Sequence, residues 1–252
     1  MDLDDLPIGR VLTRREVLAL LGSASSLLLL GGATRDSRLA THNWRLGTGG
    51  RYPCVVRPAS TAGPYYVDEK LNRADIRSDP SDGAVKAGVP LALILNVSSI
   101  AGGACAPLVG ALVDVWHCDA EGVYSDAVDP QYFNTTGKKF LRGYQVTDQH
   151  GVASFTTIYP GWYPQRTPHI HYKIRSPASD KPAYEFTGQL YFDEGLNDRV
   201  YAKPPYAARG KRTVSNITDR IYNADGGRQT MLTVKPAKDG YTAAFDVALD
   251  HG

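Results

Sequence analysis

Short runs of β-branched and aromatic residues, each closed by glycine, proline, aspartate or asparagine, occupy nearly all of the chain after residue 40. Such runs are typical of β-strands, and the turn residues between them keep each strand short. The predicted strands span residues 89–99, 108–118, 151–160, 169–176, 186–193, 229–237 and 241–249. Residues 197–210 alone have a partly helical pattern, and their prolines keep any helix short. The pattern predicts an all-β fold.

The predicted strands form a single β-sandwich domain over residues 41–252, with long loops between the strands. A turn is predicted at Asp239-Gly240, because an Asp-Gly pair between apolar runs favours a hairpin, and a second turn of similar kind is predicted at Asp148–Gly151. The sequence contains neither an internal repeat nor a second hydrophobic core.

Residues 1–40 are predicted to be a twin-arginine signal segment and a short linker. The pair Arg14-Arg15 precedes an apolar run over 17–30, and small residues follow at 31–33. This order is typical of a bacterial export signal, and the run is too short to span a membrane. The alternative is a buried helix that happens to begin with two arginines. Export predicts a periplasmic or extracellular location and no stable membrane insertion of the mature domain.

The chain has 3 cysteines, and an exported protein is expected to hold one disulfide and one free thiol. Cys105 and Cys118 flank a predicted strand whose length would hold them apart. The disulfide is therefore expected between Cys54 and either Cys105 or Cys118. No C-x-x-C pair occurs, which disfavours a zinc site.

A formal net charge of +2 and the lack of a long basic block argue against a nucleic-acid partner. The oligomeric state stays open between a monomer and a homodimer.

His169-Ile170-His171 follows Pro168 at the start of a predicted strand. Side chains two residues apart in a strand point to the same face, so both imidazoles project together while Ile170 packs behind them. Two such imidazoles either bind one metal or share a polar pocket, and the pair alone does not decide between these. No glutamate follows within the next few residues, as a cupin site would need, and no nearby carboxylate completes a facial triad.

With no carboxylate nearby, tyrosine is the residue that can supply anionic metal ligands. The chain is rich in it, with 15 tyrosines against 6 phenylalanines. A phenol is neutral near pH 7 unless a strong Lewis acid displaces its proton. Two neutral imidazoles, two phenolates and a hydroxide balance the charge of Fe(III). Tyr163 stands just before the histidines, and Tyr124 follows Gly122 in a loop at the end of a strand.

Other tyrosines are possible phenolate donors. Tyr144 and Tyr159 stay open on the residues alone, whereas Tyr172 alternates to the face opposite the histidines. His117 is interpreted as a hydrogen-bonded residue at a strand end. Trp116 and Trp162 are interpreted as packing residues or pocket walls.

Four segments in the same order resemble the intradiol ring-cleavage dioxygenases, in particular small exported members that are similar to the protocatechuate 3,4-dioxygenase β-chain core. The resemblance covers roughly residues 54–250. It rests on TAGPYYVDE (61–69), VDVWHCDAEGVYSD (113–126), FLRGYQVTDQHGVASFTTIYPGWYPQRTPHIHYKI (140–174) and FTGQLYFD (186–193).

The resemblance implies a non-haem Fe(III) enzyme that opens a catechol-type aromatic diol with O₂ to give a cis,cis-muconate-type product. The implied metal ligands are Tyr124, Tyr163, His169 and His171, with Tyr163 as the axial tyrosinate that can leave and accept a proton. The resemblance also implies that Arg166 stabilises negative charge on the ring. Arg166 and Tyr163 are therefore the implied catalytic residues.

Arg166 and Gln189 are the implied substrate-binding residues. Tyr65 and Tyr66 are expected to line the approach to the cleft. The chain has Ala62 where members of the family usually have glutamate, so the role of that loop is open. The identity of the diol is open as well, since the resemblance is weakest in the loops around 61–69, 126–141 and 195–212.

Two other functions compete with this one. A non-catalytic β-sandwich module would use the histidines and tyrosines as a polar ligand pocket. A different H-x-H metalloenzyme would bind copper or zinc.

Overall fold

The computed structural model describes residues 54–177 and 183–250, and within them the chain is mostly β-sheet. The predicted signal segment lies outside the described residues, as do residues 41–53 and 178–182. The strands are β1 Pro90–Ala101, β2 Ala104–Pro107, β3 Leu112–Trp116, β4 Val128–Asp129, β5 Phe133–Asn134, β6 Arg142–Val146, β7 Val152–Ile158, β8 His169–Arg175, β9 Glu185–Tyr191, β10 Thr233–Ala237 and β11 Gly240–Leu249. The α-helices are α1 Glu194–Tyr201 and α2 Arg220–Ala224.

The strands form two main sheets and one small hairpin. The first is a 5-stranded sheet in which β10, β11, β1 and β2 follow one another and β7 also pairs with β1. One edge of β1 is parallel to β11, while its other edge pairs with β7 first and then with β2. The second sheet is 4-stranded in the order β6-β3-β8-β9, and β4 pairs with β5 separately.

The two main sheets pack face to face around one core. Leu91, Leu93 and Leu95 of β1 are buried at every second position, as expected for a strand with one face on the core. The ring of Tyr172 on β8 reaches across to Phe245 on β11, with 5.7 Å between their centroids. The two layers therefore form the sandwich that the strand pattern predicted.

The structure corrects some of the predicted elements. The final hairpin turns at Lys238-Asp239, because Ala237 pairs with Gly240 as the first residue of β11, so the predicted Asp239-Gly240 turn is one residue out of place. The turn at Asp148–Gly151 is confirmed by the hydrogen bond from Gly151 N to Asp148 O of 2.9 Å.

Five of these elements were not predicted, namely the strands β2, β4, β5 and β6 and the helix α2. Strands β2, β4 and β5 are short, and strand β6 depends on its partner β3. Helix α1 begins earlier than the predicted helical segment because Asp193 caps it, accepting a hydrogen bond from Leu196 N. No helix among the described residues is long and apolar enough to span a membrane.

Cys54 and Cys105 form a disulfide, and Cys118 is free and buried. The expectation that Cys54 pairs with one of the other two cysteines is therefore confirmed, with Cys105 as the partner. The disulfide ties the segment that enters the domain to β2, at the edge of the first sheet.

Replacing Cys105 by serine is expected to lower the free energy of unfolding by about 2–4 kcal/mol, because the bond closes a long loop of the unfolded chain. The two cysteines are 51 residues apart in the sequence. Chemical denaturation with and without a reductant measures the effect. A reductant should destabilise the wild type and leave Cys105→Ser unchanged; equal destabilisation of both would contradict this assignment.

Candidate metal centre

Strand β8 positions the two histidines of the H-x-H motif. It lies between β3 and β9 and is buried on both faces. Across the sheet, Trp116 is paired with His171, and His171 with Gln189. Paired residues of neighbouring strands share a face, so these three side chains form one row. His169 and its partner Tyr191 form the next row on the same face.

Two loops at the end of this sheet carry the tyrosines. Tyr124 lies between β3 and β4, and Tyr163 lies between β7 and β8. The loops touch through Gly161, whose N–H donates to the carbonyl oxygen of Asp119 at 3.0 Å. A Cβ at Gly161 would be 2.5 Å from that oxygen, so only glycine permits the approach. The contact holds the two tyrosine-bearing loops against each other.

The imidazole Nε2 atoms of His169 and His171 face each other at 3.0 Å, and the hydroxyl of Tyr124 is 3.4 Å from His169 Nε2. His169 Nδ1 is 2.7 Å from the carbonyl oxygen of Thr167. A carbonyl only accepts hydrogen bonds, so Nδ1 carries the proton and His169 Nε2 presents a lone pair. Donor atoms of three side chains thus meet at one buried point.

Burial keeps both histidines neutral. The pKa of His169 lies well below its usual value, first because of burial and then because of the nearby Arg166 guanidinium. The pKa of His171 is also well below its usual value, through burial and then through His169 and Arg166. A neutral imidazole is the form that binds a metal.

Tyr124 is fully buried, and its surroundings act on its hydroxyl in opposite directions. Burial raises its pKa well above the usual value, and the guanidinium groups of Arg166 and Arg142 oppose that rise. An uncharged phenol is therefore the stable form without a metal, and a strong Lewis acid is needed to ionise it.

Trp116 supports His171 from the side. The two rings are parallel within 6°, with 4.9 Å between centroids. The interpretation of Trp116 as a packing residue is thus consistent with the structure, and the ring on which it packs is the imidazole of His171.

Tyr163 joins the cluster through a second tyrosine. Its hydroxyl is 3.0 Å from the hydroxyl of Tyr65, which is 2.7 Å from Asp129 Oδ2. The ring of Tyr65 lies between the two loop tyrosines, with centroid distances of 4.8 Å to Tyr124 and 5.3 Å to Tyr163. Tyr163 is half-buried, in contrast to Tyr124.

Arg166 and Gln189 are in direct contact. Arg166 Nη2 donates to Gln189 Oε1 at 2.6 Å and lies 3.3 Å from the hydroxyl of Tyr191. Its Nε donates to Asp219 Oδ2 at 2.9 Å. Gln189 in turn donates from Nε2 to the carbonyl oxygen of Thr61 at 3.0 Å. The proposed substrate-binding residues therefore form one fixed hydrogen-bonded network.

The structure also separates the alternative residues from this cluster. The hydroxyl of Tyr159 donates to Asn197 at 2.7 Å, and Tyr172 packs in the sandwich core. Tyr144 lies on β6 beside Arg175, 5.9 Å from its guanidinium carbon. His117 is hydrogen-bonded at both ring nitrogens, to the Cys118 carbonyl and to Thr157, and burial lowers its pKa to about 4.

Three residues of the cluster were not predicted as site residues. Tyr191 stands two positions after Gln189 on the same face, so strand periodicity would have found it. Asp219 is the N-cap of α2, in a segment whose helical character was not recognised. Asp129 lies in a short strand that gives no sequence signal.

The donor set fits a single metal ion. Two cis ligands at roughly 2.1 Å from one ion stand about 3.0 Å apart, and the two Nε2 atoms are separated by 3.0 Å. No group of three or more histidine, cysteine, aspartate and glutamate side chains within residues 54–177 and 183–250 is arranged to hold a metal. Any ion at this point would therefore have imidazole nitrogens and a phenol oxygen as its donors.

Comparisons with known proteins agree with this geometry. A family model described as "Dioxygenase" matches residues 61–250. The protocatechuate 3,4-dioxygenase β chain of Burkholderia cepacia is 31% identical over 171 residues, which are 63% of this chain and 70% of that protein.

Two solved structures have similar folds. An intradiol ring-cleavage dioxygenase from Tetranychus urticae is 30% identical, with a TM-score of 0.68 over 78% of this chain and 95% of that one. The dioxygenase domain of a carbohydrate-binding fusion protein from Streptomyces sp. SirexAA-E is 29% identical, with a TM-score of 0.54 over 78% and 99% of the two chains. Since the family model covers most of the chain and these relatives share its fold, the protein belongs to the intradiol ring-cleavage dioxygenase family.

Proposed function

We propose that the chain is an Fe(III)-dependent dioxygenase that opens a catechol-type diol with O₂ and yields a cis,cis-muconate-type product. The observation that carries the proposal is the convergence of His169 Nε2, His171 Nε2 and the Tyr124 hydroxyl at one buried point. The four proposed ligands are these three residues and Tyr163. Bound there, Fe(III) would supply the positive charge that ionises the tyrosine phenols and the two hydroxyls of an aromatic diol near neutral pH. It would also make the ring of the diol reactive toward O₂.

The residues around that point prepare it for an anionic diol. The two imidazoles are neutral, so they add no charge of their own. Arg166 keeps Nη1 without a hydrogen bond to any residue that the structure describes, which leaves this donor for the substrate. Gln189 fixes the guanidinium, and the pair would orient the ring and stabilise negative charge that develops on it.

Tyr163 provides a site for a substrate proton. If Tyr163 is held as a phenolate by the metal, its oxygen would accept a proton from a diol hydroxyl and become a neutral phenol. The hydroxyl of Tyr65 and Asp129 Oδ2 then continue a hydrogen-bonded path away from the buried histidines. Asp129 lies at the outer end of this path, where a proton can pass to water.

The two rival functions make different demands on this site. A non-catalytic module needs no metal, because an Nε2–H of His171 can donate to the lone pair of His169 Nε2, so the iron content of the protein separates the two functions. Copper and zinc accept imidazole readily but do not need two phenols. The donor set thus favours iron.

The purified protein tests the proposal directly. Loaded with iron, it is expected to be burgundy, because tyrosinate bound to Fe(III) absorbs strongly in the visible range. It should consume one O₂ for each catechol and form a muconate. Elemental analysis, the visible spectrum and an oxygen electrode check these outcomes. A colourless protein without iron after loading, or one that oxidises no diol in a catechol panel, would refute the proposal.

We also propose export by the twin-arginine signal of residues 1–40. The Cys54–Cys105 disulfide supports this, because such bonds persist in oxidising compartments. Cell fractionation of the wild type and of a variant with Arg14 and Arg15 replaced by lysine tests it; equal export of both would contradict the proposal. Monomer and homodimer remain alternatives for the assembled enzyme, which light scattering distinguishes.

A further inference from the structure

The guanidinium of Arg166 is paired with a buried carboxylate that no sequence motif indicated. Arg166 Nε donates to Asp219 Oδ2 at 2.9 Å, and the two side chains are 13% and 0% exposed. Arg166 is therefore held in the cluster as half of an ion pair. Its positive charge is compensated before any substrate arrives.

Asp219 is fixed in this role by the main chain around it. Its Oδ2 also accepts from Thr167 N at 2.8 Å, and its Oδ1 accepts from Ile221 N at 2.8 Å and Tyr222 N at 2.9 Å. Every partner is an N–H donor, so both carboxylate oxygens act as acceptors. Asp219 thus caps α2 and neutralises Arg166 with the same carboxylate.

Arg142, the second cation near Tyr124, is enclosed by protein groups and cannot contact a substrate. Arg142 is 2% exposed, and its guanidinium donates to the carbonyl oxygens of Tyr65 and Ser125 and to the Ser125 hydroxyl. Arg166 and Arg142 are the cations that act on Tyr124. On the side of Tyr65 the charged group is Asp129, a carboxylate. Neither guanidinium therefore offers an unpaired positive charge to a ring substituent, and Arg166 keeps its Nη1 donor for the diol.

We propose that the site selects catechols whose ring substituents are uncharged, and that Asp219 sets this preference by cancelling the charge of Arg166. This inference rests on the proposed dioxygenase function. A carboxylate on the ring would have to leave water without gaining an unpaired guanidinium as counter-charge, and the negative charges of Asp219 and Asp129 near the site would repel it. A hydrogen atom or an alkyl group at the same position of the ring carries no charge, so it costs no such desolvation and is not repelled by the carboxylates.

The wild-type, iron-loaded protein tests the preference with a matched substrate set. Catechol, 4-methylcatechol and 3,4-dihydroxybenzoate (protocatechuate) share the diol and differ in charge. We expect kcat/KM to be at least about tenfold higher for the two neutral diols, mainly through a lower KM. One ring carboxylate that is buried without a counter-charge is enough to produce a difference of that size. Anaerobic titration, followed by the visible spectrum, should give the same order of Kd values.

The possible outcomes separate the two proposals. Cleavage of protocatechuate with an equal or higher kcat/KM overturns the inference and leaves the dioxygenase function intact. Failure to bind and cleave any of the three diols overturns both.

Asp219→Asn tests the residue itself, and Asp225→Asn is the matched control. Asp225 follows the other end of α2 and accepts from the Ser60 hydroxyl, so the control removes the same charge from the same helix. We expect Asp219→Asn to reduce the preference for catechol over protocatechuate by about tenfold, and Asp225→Asn to leave it unchanged.

A purely structural role for Asp219 would lower kcat/KM for both substrates by the same factor, and that result would overturn its assignment. If the asparagine variant does not fold, Asp219→Ser serves instead. A serine hydroxyl can still cap α2 at Ile221 N and Tyr222 N while the negative charge is removed. Iron content and thermal unfolding show that each variant is folded and loaded before its substrate ratio is measured.

Discussion

Replacing His171 by alanine is expected to abolish the visible colour and to reduce kcat by at least three orders of magnitude, roughly 4 kcal/mol in activation free energy. His171 Nε2 lies 3.0 Å from His169 Nε2, so its removal takes away one of two adjacent nitrogen donors. The remaining imidazole and two phenols would hold iron weakly. The loss of Trp116 stacking on the missing ring would loosen the site further.

Iron content per protein, the visible spectrum and O₂ uptake measure this effect. His150→Ala removes an exposed histidine and should change none of the three. Tyr163→Phe is expected to lose or bleach the colour as well, since it removes a phenolate. Retention of one iron and full colour by His171→Ala would contradict the assignment of His171 as a ligand.

The histidine pair illustrates what the sequence can predict. The spacing in His169-Ile170-His171 fixes both imidazoles on one face of any strand that contains them, whatever lies around it. The structure places them on β8 as expected, with Ile170 fully buried on the opposite face. Strand position and face are local properties, and local patterns in the sequence predict them well.

Tyr124 required more than a local pattern. Among the candidate phenols, Tyr144 and Tyr159 could not be excluded from the residues alone, and the resemblance to the family selected Tyr124. The structure gives the physical reason. Gly161 lets one loop approach the carbonyl of Asp119 in the other, and Tyr124 is thereby held beside His169. Contact between two loops depends on the whole fold and leaves no periodic signal in either segment.

Asp219 marks the limit of sequence-based prediction in this chain. It lies 53 residues after Arg166, at the start of a helix too short to give a clear helical pattern. Its partner is known only when the segment after α1 is folded back against β8 and β9. The Cys54–Cys105 bond is similar, because the sequence left two partners open and the position of β2 decides between them.

Replacing Arg166 by alanine is expected to keep the iron and the colour and to slow turnover by about 10²–10³-fold, the usual cost of removing one donor to a developing negative charge. Arg166 contacts Gln189, Tyr191 and Asp219, and none of these is a proposed metal ligand. The iron should therefore stay bound. The truncation also leaves Asp219 as a buried carboxylate without its cation, which adds repulsion toward an anionic diol.

Arg212→Ala is the matched control for this change, because Arg212 also forms a partly buried ion pair, with Glu194 at 2.5 Å, but lies in the segment after α1 and contacts that helix instead of Gln189. Both variants lose one guanidinium and its ion pairing, to Asp219 for Arg166 and to Glu194 and Asp198 for Arg212, so a general loss of stability would affect them alike. Stopped-flow measurement of ring opening, after anaerobic binding of catechol, separates binding from chemistry. Arg166→Ala should slow ring opening more than it weakens binding, and Arg212→Ala should change neither. If Arg166→Ala turned over at the wild-type rate with its iron in place, the charge-stabilising role of Arg166 would be wrong, and its contacts with Gln189 and Asp219 would then serve only to hold α2 against β9.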